Sequence, residues 1–437
     1  MGMKRFLFVL AVALLTMAGC KGTDACPTVP VDPVIADAVA RVSPDSIRTW
    51  IEDLVGFHTR HTLSTQTDAE KGIGAAVRYI TNRCETWGQR AEGVRPTPVV
   101  EVIRYTVGEH GGRYDRVLQV PQVMVTLPGT KGEREILLSA HIDTRVADVM
   151  DSTSFAPGAN DDGSGLACLL EVVRILSEIP LEQTVKCLFV SGEEQGLDGS
   201  RYMAARAKAE NWPILAMINN DMIGNAVASG TGLKEDHKVR VFSESLRGED
   251  SDPRQLARYV KETARNYVPE QEVVLIYRND RYGRGGDHSS FLREGFTAVR
   301  MSEYCENYDR THQDVRTENG IDYGDLLSGV DILSLTRNIR INLATAMNLA
   351  LCPARPENVR IANARALENH TVIAWDAVPG VSYEILYRET DQPEWQVLGR
   401  VAAGAEASYE YPLSKDNYFF AVRAVKEDHP SLPTVAR

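Results

Sequence analysis

Three apolar runs of strand length each end on a carboxylate or an imidazole, and this repetition limits what the chain can fold into. EILLSA at 135–140 runs into His141, VKCLFVSG at 185–192 into Glu193 and Glu194, and ILAMINN at 214–220 into Asp221. Helix candidates at 164–177, 199–209, 253–267 and 323–350 alternate with these runs and with strand candidates at 238–243, 272–276 and 298–301. That is the pattern of an α/β protein whose mostly parallel, mixed sheet is flanked by helices. In such a sheet, ligand sites form outside the carboxyl ends of the strands. Polar groups placed past three strand ends therefore converge on one crevice.

Upstream, Ser43-Pro44 is a cap followed by a first-turn proline, and Ile47, Ile51 and Leu54 share one face of the helix it starts. Ile73, Val77, Ile80 and Cys84 predict a second amphipathic helix over 69–87, and strands follow at 99–107 and 117–127. Cys352-Pro353 to Pro356 breaks the alternation. Beyond it lie short strands at 372–375, 383–388, 395–401 and 418–425, the pattern of a small all-β sandwich. Trp375, YEILYR at 383–388 and YFFAVRAV at 418–425 resemble a fibronectin type III domain. That resemblance makes Tyr418 the corner tyrosine and Trp375 the core tryptophan. Two folded units suit a chain of 437 residues, which exceeds one compact core of ordinary size.

Residues 1–19 read as a targeting segment. Lys4 and Arg5 precede an apolar run at 6–18 that is short for a bilayer span. Met17-Ala18-Gly19-Cys20 resembles a bacterial lipobox, in which Cys20 is lipidated and becomes the mature N-terminus. An ordinary signal peptide cut nearby is the alternative. Either implies an exported bacterial protein; with the lipid at Cys20 it is anchored to the cell envelope, periplasmic or surface-facing. Residues 20–42, with several prolines and small residues, read as a tether. The other six cysteines, Cys26, Cys84, Cys168, Cys187, Cys305 and Cys352, show no disulfide framework in their spacing. Cys168 and Cys187 fall in apolar patterns and are expected to be buried thiols. A formal net charge of -12 argues against a nucleic-acid partner.

Taken singly, His141-Ile142-Asp143, Asp161-Asp162-Gly163 and Glu193-Glu194 have ordinary readings as a local hydrogen-bonded pair, a cap and a solvated turn. Gathered at one set of strand ends, their carboxylates repel one another and call for cations. His141, Asp161, Glu194, Asp221 and His312 offer two imidazoles and three carboxylates. This suits a two-metal site with one bridging carboxylate, each ion taking one histidine and one further carboxylate. Mixed nitrogen and oxygen donors favour two zinc ions, with cobalt or manganese also compatible. Such a pair activates water. Glu193, left free beside Glu194, is placed to take a proton from the bridging water and pass it to a leaving amine. Asp143 is placed to hold the other ring nitrogen of His141 and fix its tautomer.

The ordered blocks SAHIDT at 139–144, PGANDDGSG at 157–165, SGEEQG at 191–196, INNDMIG at 218–224 and RTHQD at 310–314 closely resemble the dizinc aminopeptidases related to bacterial leucyl aminopeptidase. The resemblance spans about residues 43–351. It implies a zinc-exopeptidase fold over 43–352, with the sandwich over 353–437, and an enzyme that removes N-terminal residues from peptides. It also implies that His141, Asp161, Glu194, Asp221 and His312 are the metal ligands with Asp161 bridging, that Glu193 is the general base, and that Asp143 is its supporting aspartate. GRGGDHSSFLREGF at 283–296 resembles the family's Ser-Asp-His-x-x-Phe block near the substrate pocket. Gly286 stands where serine is common, which alters the pocket wall, and His288 is expected behind the ligands rather than among them. His58 and His61 are read as surface or packing residues, and His110, His237, His370 and His429 are given no role.

Rival readings stay open from sequence. Glutaminyl cyclase is an acyltransferase on the same fold with a single zinc, and carboxypeptidase action uses the same metal chemistry. A binding protein, with the sandwich as its active part and the metal site a relic, is a rival of another class. The sandwich carries no recognisable ligand motif, so a scaffold or spacer is expected and any protein or glycan partner stays unknown.

Overall fold

The computed structural model describes residues 31–90, 93–109, 111–245 and 250–437. The targeting segment, Cys20 with its lipobox, the first part of the tether, Cys26 and His110 lie outside the described residues.

Chain order begins with three helices, α1 (Pro33–Ala40), α2 (Pro44–Val55) and α3 (Gly72–Gln89), and then β1 (Val99–Val107), β2 (Leu118–Leu127) and β3 (Glu135–His141). Alternation follows: α4 (Gly163–Leu176), β4 (Thr184–Val190), α5 (Asp198–Ala209), β5 (Ile214–Asn220), β6 (Lys238–Phe242), α6 (Asp252–Tyr267), β7 (Glu272–Ile276), α7 (His288–Arg293) and β8 (Ala298–Glu303). A small hairpin of β9 (Arg316–Glu318) and β10 (Ile321–Tyr323) precedes the long α8 (Ile332–Leu351). The eight strands β1 to β8 form one sheet in the order β1-β2-β4-β3-β5-β8-β6-β7. Its centre, β4-β3-β5-β8, is parallel, while β1, β2 and β6 join antiparallel neighbours.

Side chains alternate across this sheet as the pleat requires. Ile136, Leu138 and Ala140 of β3 enter a core shared with α1–α4, α6 and α8, whereas Leu137 faces a smaller core with Met203 of α5 and Phe291 of α7. α4 is almost wholly buried, which explains why GLACLLEVVRIL carries so few polar positions. Ser43 caps α2 by accepting from Ser46 N, with Pro44 in the first turn, as its sequence predicts. Cys84, Cys168, Cys187, Cys305 and Cys352 are free and buried, so both expected thiols are found as such.

Two expectations are corrected. Part of the tether is a helix: Asp32 caps α1, whose Ile35, Ala38 and Val39 are buried in the main core. Eight residues gave too short an apolar stripe to register against the prolines around them. The last helix begins at Ile332 rather than 323, because Asp331 caps it by accepting from Ser334 N. Gly324 before it takes a positive φ of 96° that ends any helix there.

After α8 come β11 (Glu357–Ile361), β12 (Thr371–Asp376), β13 (Ser382–Glu389), β14 (Gln396–Val401), β15 (Ser408–Tyr411) and β16 (Tyr418–Lys426). They pair as two antiparallel sheets, β11-β12-β15 and a second built on β14-β13-β16. Trp375 and Ile373 from the first pack on Tyr383, Ile385 and Val422 from the second. The tyrosine whose hydroxyl returns to the backbone is Tyr383, which donates to Val378 O at 3.0 Å. Tyr418, expected in that part, instead packs against Tyr387 and Phe420.

This β unit is clamped to the helical layer by charge. Arg423 on β16 donates to both oxygens of Glu262 on α6, at 2.7 and 2.9 Å, and to Glu384 at 2.8 Å. Arg388 pairs with Asp250, and Trp395 Nε1 donates to Gln255 at 2.7 Å. His429 is buried and meets the cap residue Asp32 at 3.0 Å, so this histidine ties the β unit to the start of α1. Arg423→Ala removes the cation shared by Glu262 and Glu384, leaving Glu384 with Arg400 alone. With Glu262 partly solvated, the expected loss is about 2–3 kcal/mol, read as a lowered urea midpoint, with activity per folded molecule unchanged.

Candidate active site

β4, β3 and β5 lie side by side and parallel, so the residues at their carboxyl ends are neighbours although dozens of residues separate them. His141 closes β3, Glu193 and Glu194 follow β4, and Asp221 follows β5. Asp161 enters from the turn before α4 and His312 from the loop after β8. All five expected ligands meet. Asp161 sits between the two imidazoles, with Oδ1 at 3.1 Å from His141 Nε2 and Oδ2 at 3.0 Å from His312 Nε2. His312 Nε2 is also 2.8 Å from Glu194 Oε1, and His141 Nε2 is 3.9 Å from Asp221 Oδ1. The donors fall into three overlapping compact sets, of which two share Asp161: His141, Asp161 and Asp221, and Asp161, Glu194 and His312; the third joins His141, Glu193 and Glu194. Imidazole nitrogens and carboxylate oxygens converging on shared points are the donor chemistry of zinc.

Each side chain is aimed by peptide groups. Asp162 faces away from its neighbour and accepts from His141 N at 3.0 Å, Gly165 N at 3.0 Å and Met222 N at 3.2 Å, locking β3, α4 and the β5 turn together. Asn160 accepts from Gly224 N at 2.9 Å and donates to the buried Glu303 at 2.8 Å. Asp143 is corrected in its detail. His141 Nδ1 meets the Asp143 backbone carbonyl at 2.9 Å, while the Asp143 carboxylate is 3.9 Å away. That carboxylate accepts instead from Glu193 N at 3.2 Å, Glu194 N at 3.0 Å and the Thr62 hydroxyl at 3.1 Å. Its work is to orient the turn that presents the paired glutamates.

Charge crowding shifts the titrations. Burial raises Glu193 well above the usual carboxylate range, with Asp221 and Glu194 adding to the rise against the opposing His141. Burial would lower both imidazoles, yet the neighbouring carboxylates lift His141 well above its ordinary value and His312 to about 10. Burial also pushes Asp325 and Asp287 up to about 7.

Several contributors escape sequence reasoning. Asp325 accepts from Asn160 N and from Asp161 N, the latter at 2.6 Å, and so fixes the central carboxylate from behind; it lay within a stretch read as helix. Arg60 is fully buried and donates to Ile142 O, Pro157 O, Gly158 O and Leu54 O, holding the loop that leads to Asp161. Beside it His61 is buried and meets Val149 O at 2.9 Å and Gln195 at 2.8 Å, a packing role at the edge of the site. Arg300 is fully buried, 3.0 Å from Asp221 Oδ1 and 2.9 Å from Asp280. An arginine inside an otherwise apolar strand was the available signal for it. A Cβ on Gly286 would come within 3.1 Å of the Arg300 guanidinium, so the absent serine side chain leaves that cation its room. His288 meets Asn279 O at 2.9 Å, outside the donor sets, as expected.

The sequence pattern of peptidase family M28 matches residues 122–332. The probable zinc metalloprotease of Leptosphaeria maculans is 37% identical over 417 residues, 91% of this chain and 95% of that protein. The chain belongs to peptidase family M28. As a member of this family it is a zinc-dependent hydrolase. Among solved structures, the LapA aminopeptidase of Legionella pneumophila shares the fold at 19% identity and a TM-score of 0.57, over 74% of this chain and 76% of that one. The glutaminyl cyclase of Porphyromonas gingivalis does so at 17% identity and a TM-score of 0.50, over 69% of this chain and 97% of the other.

With their pKa values raised, His141 and His312 hold protons at neutral pH in the metal-free protein, and a bound ion must displace them. Zinc affinity is therefore expected to rise with pH until His312 has lost its proton near 10, by about tenfold per pH unit for each proton displaced. Calorimetric titration in buffers of different ionisation enthalpy counts the released protons; a pH-independent affinity contradicts the expectation.

Proposed function

We propose that this M28 hydrolase is a two-zinc aminopeptidase in which Glu193 is the general base. The supporting observation is Asp161, whose two oxygens face His141 and His312 as the shared member of two donor sets. His141, Asp161 and Asp221 would hold one ion, and Asp161, Glu194 and His312 the other. Zinc bound there supplies Lewis acidity towards the scissile carbonyl and the attacking water.

The protein's own groups do the rest. Glu193 lines the same cleft, partly exposed, and no ligand role is needed from it. Its raised pKa suits a group that takes a proton from water and returns it to the leaving amine nitrogen. Asp143 keeps the Glu193-Glu194 turn in register by accepting both peptide N–H groups. Arg300 holds the Asp221 carboxylate so that Oδ1 stays at the cluster. The cyclase alternative needs one donor set; two complete sets sharing a carboxylate favour the hydrolase with two ions.

On this reading the C-terminal strands are a fibronectin type III-like scaffold. None of the described residues lining the cleft comes from them, and their charged clamps fall on α6 and α1 instead. The proposal keeps the exported, lipid-anchored location read from residues 1–20.

A panel of peptides matched with free and acetylated N-termini, assayed before and after chelation, tests this. Cleavage of only the free-amine members, lost with chelator and restored by zinc, is expected; equal cleavage of blocked peptides excludes aminopeptidase action. Glu193→Gln is expected to bind zinc with wild-type stoichiometry while kcat falls about 10²- to 10⁴-fold; a near-normal rate removes Glu193 from the mechanism.

A further inference from the structure

The cleft beside the cluster, with a volume of about 270 Å³, is lined by four arginines, Arg113, Arg145, Arg281 and Arg284, and Leu197 is the one apolar side chain larger than glycine on its described wall. Such a wall is unsuited to an aliphatic residue, because seating one would strip water from guanidinium groups and offer them nothing in return. The arginines are also not spent on the acidic cluster. Among the described residues, Arg113 donates to the Glu194 backbone carbonyl at 2.6 Å, and Arg145 to the carbonyls of Val146 and Ala147. Arg281 and Arg284 meet Glu306 Oε2 at 3.0 and 2.9 Å, a carboxylate already engaged through Oε1 by Arg240 at 2.7 Å. Asp280 is likewise divided between Arg281 and Arg300. Cations therefore outnumber the carboxylates paired with them on this side of the cleft. Once divalent ions offset the charge of Asp161, Glu194 and Asp221, the wall is left with a net positive field beside the reacting bond. The same wall continues outward, since Arg145, Arg284 and His312 also line the adjoining groove with Tyr308.

We propose that this wall is a carboxylate pocket, in which Arg113, Arg145, Arg281 and Arg284 receive an anionic group of the peptide next to the bond that is cut. The inference rests on the peptidase reading above and gives it a substrate class. The carboxylate comes either from an acidic side chain on the N-terminal residue or from the α-carboxylate of a very short peptide. Guanidinium forks bind both in the same way.

Two matched pairs separate these sources, using the zinc-loaded full chain. Glu-Ala-Ala-amide against Gln-Ala-Ala-amide reads the side chain, and Leu-Ala against Leu-Ala-amide reads the α-carboxylate. A preference of about tenfold or more in kcat/KM for the charged member of either pair is expected, and which pair shows it names the source. Cleavage of all four without such a preference overturns the pocket and leaves the peptidase reading standing. Failure to cleave any of them overturns both. The double variant Arg281→Gln with Arg284→Gln is expected to bring the preference within about twofold; an undiminished preference overturns the assignment. Arg145→Gln breaks no ion pair among the described residues, so it serves as a second variant with the same expected direction should the double variant fail to fold. Calorimetry supplies a readout free of turnover: L-glutamate is expected to bind the zinc-loaded protein at least about tenfold more tightly than L-glutamine, and equal binding of the two counts against a side-chain pocket.

Discussion

Burying several carboxylates within reach of one another is unfavourable unless something opposes their charge, and most of what surrounds this site is a response to that fact. Asp161 stands at the centre, with an imidazole on each oxygen. Behind it, Asp325 takes the peptide N–H of Asp161 itself, and Asp162 turns away to bind three peptide N–H groups from three segments. The acidic residues thus divide into those that face the cluster and those that consume backbone donors. The second group makes the first group's geometry rigid. Zinc would complete the balance, in keeping with the zinc-dependent chemistry of the family.

Cations contribute at two levels. Arg60 and Arg300 are fully buried and hold, respectively, the loop leading to Asp161 and the carboxylate of Asp221. The cleft arginines are more accessible and pair away from the cluster, so they are left to meet a ligand. Glycine at position 286 connects the two levels. By leaving space for Arg300 it keeps a buried guanidinium close to Asp221.

The C-terminal strands obey a different constraint. They possess their own apolar core, yet they also press buried arginines onto α6 and a buried histidine onto the start of α1. An interface built from oriented ion pairs fixes one docking pose, since a small rotation would leave several charges unpaired in a partly dry contact. The cleft lies apart from these contacts, which is why a change at Arg423 is expected to alter stability and spare turnover.

The sequence by itself determined the parallel centre of the sheet and the five donors at the cluster. Both are local signals: apolar runs of strand length, each ending on a polar group with a short fixed spacing. Only the tertiary structure decided that Asp143 serves the glutamate turn through its carboxylate and His141 through its carbonyl, because sequence spacing cannot distinguish two acceptors on one residue. Asp325, Arg60 and Arg300 were hidden for a related reason. Each acts on groups far away in the chain, so nothing in its own neighbourhood records the partner. The basic wall of the cleft arises in the same way. Arg113, Arg145, Arg281 and Arg284 come from three separate loops, and no pattern along the chain marks four cations that meet only when those loops are folded over the strand ends.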